Sequence, residues 1–171
     1  MSSAGESESD RTGGAAEFAE VEQLLSAARS GIRRLTPDQA IAAVGQGALI
    51  VDIRPAWQRA YEGEIAGALI VERNHLEWRL HPGSAVRLVF AVPGQRWIVA
   101  CSEGYTSSLA AAALCSLGVP ASDLIGGVSG WRAAGLPLVD GPTRTERISG
   151  SEPPLKAGDL GAPTGRDEPA H

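Results

Sequence analysis

The apolar residues of this chain fall into short uninterrupted runs, separated by stretches in which apolar residues recur at the spacing of a helix. Short continuous apolar runs bounded by turn residues are typical of strands buried on both faces of a parallel sheet. We therefore predict five strands, at residues 32–35, 48–54, 68–72, 97–101 and 123–127.

Helical patterns occupy the stretches between these runs. Thr36, Pro37 and Gln39 have the spacing of a capping box, in which Thr36 caps a helix that begins at Pro37. Asn74 is the expected cap of a later helix. The predicted helices cover residues 16–29, 37–44, 55–61, 75–80, 86–92, 109–117 and 129–135. Strands that alternate with helices indicate an α/β fold with a mostly parallel sheet.

The two ends of the chain differ from its centre. Residues 1–15 are rich in Ser, Glu and Gly without periodic apolar positions, so we expect them to be disordered. Residues 16–31 hold an amphipathic helix that we expect to pack on the main body, which extends over residues 32–139. Residues 140–171 are rich in Pro, Gly, Thr and charge, which predicts a disordered tail.

Composition excludes several classes of protein. The chain has 171 residues, of which 43% are hydrophobic, and this suits one domain. No apolar run reaches the ~18–20 residues of a membrane span, so we expect no membrane association. The first residues lack the pattern of a secretory signal, and the two cysteines lack the spacing of a disulfide framework. We therefore expect a cytoplasmic protein. Its Ala, Gly and Arg usage suggests a bacterial genome rich in G and C.

The charge is concentrated at the ends. The whole chain carries a net charge of −5, but residues 31–139 hold nine arginines against eight acidic residues. A strongly basic face is expected of a nucleic-acid-binding protein, so nucleic acid is not an expected partner.

Cys101 is the strongest candidate for chemistry, because it stands where the fourth strand ends. A loop of small, polar and Gly residues follows it, and an Ala- and Leu-rich helix follows the loop. Backbone N–H groups turned into such a loop favour a thiolate over a thiol, as does the helix N-terminus, and the thiolate is the reactive form. A free Cys is otherwise a small apolar residue, which is how we interpret Cys115.

Four stretches taken together resemble the rhodanese-like (sulfurtransferase) domain. Their order and spacing carry the resemblance, since none of them is specific alone. They are residues 50–54 (IVDIR), 63–68 (GEIAGA, similar to the family's GHIPGA), 101–107 (CSEGYTS) and 124–131 (LIGGVSGW), the last followed by Gly135, Leu136 and Pro137.

The resemblance implies a doubly wound α/β domain with a central five-stranded parallel sheet. It also implies that Cys101 carries a sulfane sulfur as a persulfide, without metal or cofactor. The donor would be thiosulfate or a persulfide, the acceptor a thiol or cyanide, and a protein persulfide is a further candidate partner. The cradle around the sulfur would consist of Ser102, Glu103, Gly104, Tyr105, Thr106 and Ser107.

The loop departs from the family pattern in its charge. Many members have an Arg or Lys in the loop to attract an anionic donor, whereas this chain has Glu103. A like charge a few ångströms away disfavours thiosulfate by about 1 kcal/mol. Arg73 and Arg59 are our candidates for compensating cations.

Three further positions have expected structural roles. We expect Arg54 to pair with an acid such as Glu62, and Asp52 to hold backbone at its strand end. Glu64, which stands where the family has His, is expected to be structural.

Other catalytic classes fit the sequence poorly. A Cys-dependent phosphatase or arsenate reductase closes its loop with an Arg, and no Arg occurs between Cys101 and Ala113. The residues around Ser129 fail the spacing of a serine hydrolase, and phosphate-loop and Cys/His metal motifs are missing. Cys115 lies about four helical turns from Cys101, too far for a redox disulfide. A non-catalytic rhodanese-like module that binds a partner or senses persulfides stays open as the alternative.

Overall fold

The computed structural model describes residues 13–143, so the predicted disorder of residues 1–12 and 144–171 lies outside the described residues. Residues 13–15, which were also predicted to be disordered, are instead the first residues of a helix. Within residues 13–143 the chain forms six helices and seven strands. In order these are α1 (Gly13–Ser30), β1 (Arg33–Leu35), α2 (Pro37–Gly45), β2 (Leu49–Asp52), α3 (Ala56–Glu62), β3 (Glu64–Ile65), β4 (Leu69–Ile70), a 3₁₀ turn (Arg73–His75), α4 (Leu76–Leu80), β5 (Trp97–Ala100), α5 (Thr106–Ser116), β6 (Ala121–Leu124), α6 (Gly127–Ala133) and β7 (Leu138–Val139).

Five of these strands form one parallel sheet with the order β1-β6-β5-β2-β4. The α/β fold with a five-stranded parallel sheet is therefore confirmed. The carboxyl ends of parallel strands meet at one edge of a sheet, where α/β proteins build their sites. Asp52, the last residue of β2, pairs in register with Ala100, the last residue of β5. Cys101 therefore leaves the sheet beside the Asp52 end of β2.

The central strand β5 is buried on both faces. Trp97, Val99 and Cys101 belong to an apolar cluster with residues of α4 and α5. Ile98 and Ala100 belong to a second cluster on the opposite face, with residues of α2 and α6. Because side chains alternate between the faces of a strand, both layers need apolar residues, which explains the uninterrupted apolar run.

The capping box predicted at Thr36 is present. The Gln39 N–H donates to Thr36 Oγ1 at 3.3 Å, and the Thr36 N–H donates to Gln39 Oε1 at 3.0 Å. The cap predicted at Asn74 is wrong, because the 3₁₀ turn occupies that position and α4 begins after His75 without a side-chain cap.

Two other local predictions are wrong. Residues 86–92 form turns and not a helix: the Leu88 N–H donates to the Arg79 carbonyl at 2.8 Å, and Arg79 Nη1 donates to the Val86 carbonyl at 2.6 Å. The last strand of the sheet is Ala121–Leu124 and not 123–127, because the chain turns sharply at Gly126 and Gly127.

A small second sheet was not predicted. Strands β3 and β7 pair antiparallel over two residues each, too short a pattern to show in the sequence. Helix α1 packs against α5 on the outside of the main sheet. None of the helices within residues 13–143 is long and apolar enough to cross a membrane.

Candidate active site

Three groups of the loop after β5 surround the sulfur of Cys101. The Gly104 N–H donates to Sγ at 3.2 Å and the Ser107 N–H donates at 3.4 Å. The thiol itself donates to Ser107 Oγ at 3.3 Å, and a hydroxyl can donate as well as accept, which suits a charged sulfur too. Cys101 is buried, at 7% exposure. The loop is therefore wound around one sulfur atom, and its donors suit an anionic sulfur.

The turn of the loop depends on Gly104, whose φ of +83° lies in the left-handed region. A Cβ at this position would lie 2.9 Å from the Gly126 nitrogen and 3.1 Å from the Leu124 carbonyl oxygen. Any side chain at 104 would therefore displace backbone, and with it the N–H group that faces Cys101.

The start of α6 holds the base of the loop. The Val128 N–H donates to the Cys101 carbonyl and the Ser129 N–H donates to the Ser102 carbonyl, both at 2.9 Å. This approach requires Gly127, because a Cβ there would overlap the Cys101 carbonyl oxygen. The LIGGVSGW stretch thus serves the site through its main chain.

The back of the loop is held by charged groups from distant parts of the chain. Arg29 of α1 donates to the Gly104 carbonyl at 2.9 Å and to Ser108 Oγ at 3.2 Å. Ser108 donates to the buried carboxylate of Asp123 at 2.6 Å. Arg34 pairs with the same carboxylate at 3.0 Å. Sequence reasoning missed this support, since nothing near these residues in the sequence marks them.

A cleft of about 400 Å³ opens in front of the sulfur. Five of the seven residues expected to form the catalytic loop line it, and Gly104 and Ser107 contact the sulfur from behind. The lining residues are Gln58, Glu62, Cys101, Ser102, Glu103, Tyr105 and Thr106. The structure therefore brings together every loop residue that the sequence singled out.

Glu62 was expected only as an ion-pair partner, but it also lines the cleft. Its carboxylate accepts from Arg54 at 2.7 Å, from the Ser102 hydroxyl at 2.8 Å and from Gln58 at 3.2 Å. Burial by itself would raise the pKa of Glu62, but these hydrogen bonds and the charge of Arg54 outweigh it and lower the pKa below its ordinary value. Glu62 is thus held as a carboxylate.

Arg54 and Asp52 have the structural roles expected of them. Arg54 pairs with Asp52 at 2.6 Å and with Glu62 at 2.7 Å, and Asp52 also accepts from the Arg54 N–H at 3.0 Å. Burial by itself would lower the pKa of Arg54, but the hydrogen bonds and charges of the two acids raise it.

The structure does not bring Arg59 to the cleft. Its side chain is completely buried and pairs with Glu64, and it donates to the Arg54 carbonyl at 3.1 Å and the Thr143 carbonyl at 2.8 Å. A substrate that enters from solvent does not reach this guanidinium.

Arg73 is not among the residues that line the cleft either. It pairs with Glu77 at 2.9 Å, one turn further along the chain. Neither arginine that we expected to replace the loop cation lies where a ligand in the cleft would meet it.

Comparison with known proteins agrees with this geometry. The sequence profile of the rhodanese-like domain family matches residues 36–134. No curated protein sequence matches the chain.

Solved structures resemble the chain at moderate identity. A protein of unknown function from Rhodopseudomonas palustris, described as a possible tyrosine phosphatase, is 28% identical with a TM-score of 0.64, over 78% of this chain and 99% of that one. A thiosulfate sulfurtransferase from Pseudomonas aeruginosa is 25% identical with a TM-score of 0.61, over 77% of this chain but only 25% of that one. A rhodanese-related protein from Thermoplasma volcanium, at 21% identity and a TM-score of 0.51, over 63% of this chain and 97% of that one, shares the fold. Since the family profile covers more than half of its residues, the chain belongs to the rhodanese-like domain family.

Proposed function

We propose that the protein is a sulfurtransferase that moves a sulfane sulfur from a donor to a thiol or cyanide acceptor through a persulfide on Cys101. The observation that carries the proposal is the position of Sγ, which meets the Gly104 and Ser107 donors at 3.2–3.4 Å and lines an open cleft. Family membership and the likeness to a thiosulfate sulfurtransferase support it.

The first step loads the sulfur. The Cys101 thiolate attacks the outer sulfur of thiosulfate, and a new S–S bond forms from Sγ. The donor's own S–S bond breaks, and its electron pair leaves with sulfite. With a persulfide donor the leaving group is a thiolate. The N–H groups of Gly104 and Ser107 face the sulfur throughout.

The second step unloads it. An acceptor thiolate attacks the outer sulfur of the Cys101 persulfide, the Sγ–S bond breaks, and its electron pair returns to Sγ as thiolate. The acceptor leaves as a persulfide, or as thiocyanate when the acceptor is cyanide. Because donor and acceptor react with the same sulfur in turn, ping-pong kinetics are expected.

A phosphatase activity, suggested by the description of the Rhodopseudomonas palustris protein, is not supported by this site. A bound phosphate dianion needs a cation or a closing Arg, as phosphoryl-transfer sites provide. The cleft is lined by neutral and acidic residues, with Glu62 and Glu103 among them.

The proposal includes a cytoplasmic location and small-molecule partners. Cys101 and Cys115 are both free cysteines, and a reducing compartment keeps the nucleophile in its active state.

Intact-protein mass measures the loading step directly. The reduced protein is incubated with thiosulfate, and separately with a low-molecular-weight persulfide. Wild type and Cys115→Ser are expected to gain the mass of one sulfur, and Cys101→Ser is expected to gain none. Cys115 is the matched control, because its thiol lies in α5 and contacts the Ala121 carbonyl at 3.3 Å.

Transfer is measured by adding cyanide or a thiol to the loaded protein, which should return it to its starting mass. A folded, reduced wild type that gains no sulfur from either donor would overturn the proposal. A non-catalytic module that binds a partner would then replace it.

A further inference from the structure

Among the residues of 13–143 that line the cleft, carboxylates are the only charged groups. Glu62 and Glu103 are acidic, and Gln58, Ser102, Tyr105 and Thr106 are neutral beside the Cys101 thiol. Glu103 is exposed, and no cation within residues 13–143 forms an ion pair with it. A ligand in the cleft therefore meets at least one unneutralised negative charge.

The guanidinium groups of the arginines around the loop bond to protein carbonyls and carboxylates, and that of Arg29 also lies 5.5 Å from the centre of the ring of Tyr105, which lines the cleft. Arg29 binds the Gly104 carbonyl, Arg34 binds Asp123, and Arg132 binds the carbonyl of Glu62. Arg54 contacts the Glu62 carboxylate, but it also pairs with Asp52, so one positive charge faces two negative ones. None of these four arginines lines the cleft.

Two backbone donors of the loop serve the reacting sulfur. The N–H groups of Gly104 and Ser107 both point at Sγ. The loop thus stabilises one anionic sulfur, while the walls of the cleft present carboxylates to whatever is attached to it. An anionic group on the far side of a ligand would be repelled there, and a cationic group would be attracted.

From this arrangement we infer that the sulfur compound handled at Cys101 carries a positive charge close to its sulfur. This inference rests on the proposed function and names its substrate class. Two sources have this chemistry: a small aminothiol or its persulfide, and a protein cysteine flanked by basic residues. Dianionic thiosulfate is correspondingly a poor donor.

The acceptor step is the same as for any thiol. The thiolate of a thiol that also bears a cationic group attacks the outer sulfur of the persulfide, the Sγ–S bond breaks with its electron pair returning to Sγ, and a persulfide bearing the same cationic group leaves. The charge of the cleft changes only the fraction of acceptor molecules that lie in position to attack the persulfide. One partly screened unit charge a few ångströms away changes such a rate by about three- to tenfold.

The acceptor test uses three small thiols that differ in charge. Sulfur-loaded protein reacts with cysteamine (cationic), 2-mercaptoethanol (neutral) and 3-mercaptopropionate (anionic), and loss of the sulfur mass gives the second-order rate. Each rate is divided by that of Glu103→Gln with the same thiol, which cancels the intrinsic nucleophilicity. Relative to its effect on 2-mercaptoethanol, Glu103→Gln should slow cysteamine about three- to tenfold and accelerate 3-mercaptopropionate. Added salt should reduce both effects.

A second reaction tests the charge without sulfur transfer. Methanethiosulfonates with cationic, neutral and anionic tails form a disulfide with a thiolate and release methanesulfinate. Their rates at Cys101 are measured in a Cys115→Ser background. The rate should be highest for the cationic tail and lowest for the anionic tail, and Glu103→Gln should reduce this difference as it does for the thiols. Glu20→Gln is the control for net charge, since Glu20 lies exposed on α1.

The outcomes separate this inference from the proposed function. If the protein fails to gain sulfur but the methanethiosulfonates follow the charge order, the sulfurtransferase proposal fails and the cationic preference of the cleft stands. The inference is overturned if Glu103→Gln changes the rates with all three methanethiosulfonates, or with all three thiols, by one common factor. It is also overturned if Glu20→Gln changes these rates as much as Glu103→Gln does.

Peptide acceptors distinguish the two sources. Lys-Cys-Lys and Glu-Cys-Glu are compared with cysteamine on the loaded protein. A faster rate for Lys-Cys-Lys than for cysteamine supports a basic protein segment, and the reverse supports a small aminothiol. Equal rates for the two peptides contradict the charge preference.

Discussion

Arg29 donates from Nη2 to the carbonyl oxygen of Gly104 at 2.9 Å and so ties α1 to the loop that surrounds Cys101. The same guanidinium donates to Ser108 and lies 5.5 Å from the centre of the Tyr105 ring. Arg29 precedes the stretch matched by the family profile, which begins at residue 36. The helix before the family domain is therefore part of the support of the loop around Cys101.

We expect Arg29→Ala to raise the activation free energy of the reaction at Cys101 by more than it lowers the free energy of unfolding. Two hydrogen bonds are lost, one to the loop and one to Ser108 of α5, each contributing about 1 kcal/mol, so the alkylation rate of Cys101 by iodoacetamide should fall about three- to tenfold. Arg29→Lys retains a donor for the Gly104 carbonyl and should recover part of the rate. Arg33→Ala, an exposed position on β1, is the control, and an equal loss there would contradict a positioning role.

Ser107→Ala removes the hydroxyl that lies 3.3 Å from the Cys101 sulfur. A hydrogen bond to a charged group contributes about 1.5–3 kcal/mol, so persulfide formation should slow about tenfold or more while the backbone donors of the loop remain. Ser116→Ala in the same helix removes a hydroxyl that bonds only the Ala113 carbonyl at 2.7 Å. Stopped-flow or mass measurements of loading should separate the two variants clearly.

The sequence predicted the sheet, and a loop after its central strand, for a physical reason. A strand buried on both faces needs a continuous apolar run, and Trp97–Ala100 shows one. A loop wound around a sulfur needs small residues and a left-handed Gly, and residues 101–107 contain both. These features are local, so the amino-acid order displays them directly.

What the sequence did not reveal are contacts between distant residues. Arg29 and Gly104 stand 75 positions apart, and only the packing of α1 on α5 brings them together. Arg59 was expected to compensate for the missing loop cation, but its guanidinium lies inward against Glu64. The direction in which a helical side chain points depends on what the helix packs against.

We expect Gly127→Ala to destabilise the protein strongly. The φ of +57° is unfavourable for any residue with a Cβ, by about 1–2 kcal/mol, and the new atom would overlap the Cys101 carbonyl oxygen. Gly118→Ala is the matched control, because its φ of +76° carries similar strain but a Cβ there meets nothing within 4 Å. Urea denaturation should show a clearly larger loss for Gly127→Ala, and equal losses would contradict the close approach of α6 to the loop.

Glu64→Gln should show how much the fold depends on the buried pair with Arg59. Both side chains are buried, and removal of one charge leaves the other uncompensated, which costs about 3–5 kcal/mol. Glu77→Gln breaks a partly exposed pair with Arg73, and pairs at the surface contribute about 0–1 kcal/mol. Urea denaturation at pH 7 should therefore show a much larger loss of unfolding free energy for Glu64→Gln than for Glu77→Gln.

The same pair predicts a dependence on pH. Burial by itself would raise the pKa of Glu64, but hydrogen bonds from Thr143 and Arg59 and the charge of Arg59 lower it below its ordinary value. The folded protein thus holds the carboxylate more firmly than the unfolded chain, so this stability is present above the unfolded pKa of about 4.3 and is lost as the pH falls through the lower folded value. The stability difference between wild type and Glu64→Gln should shrink as the pH is lowered below about 4.3. A difference that stays constant across that range would show that the carboxylate is not stabilised by its partners.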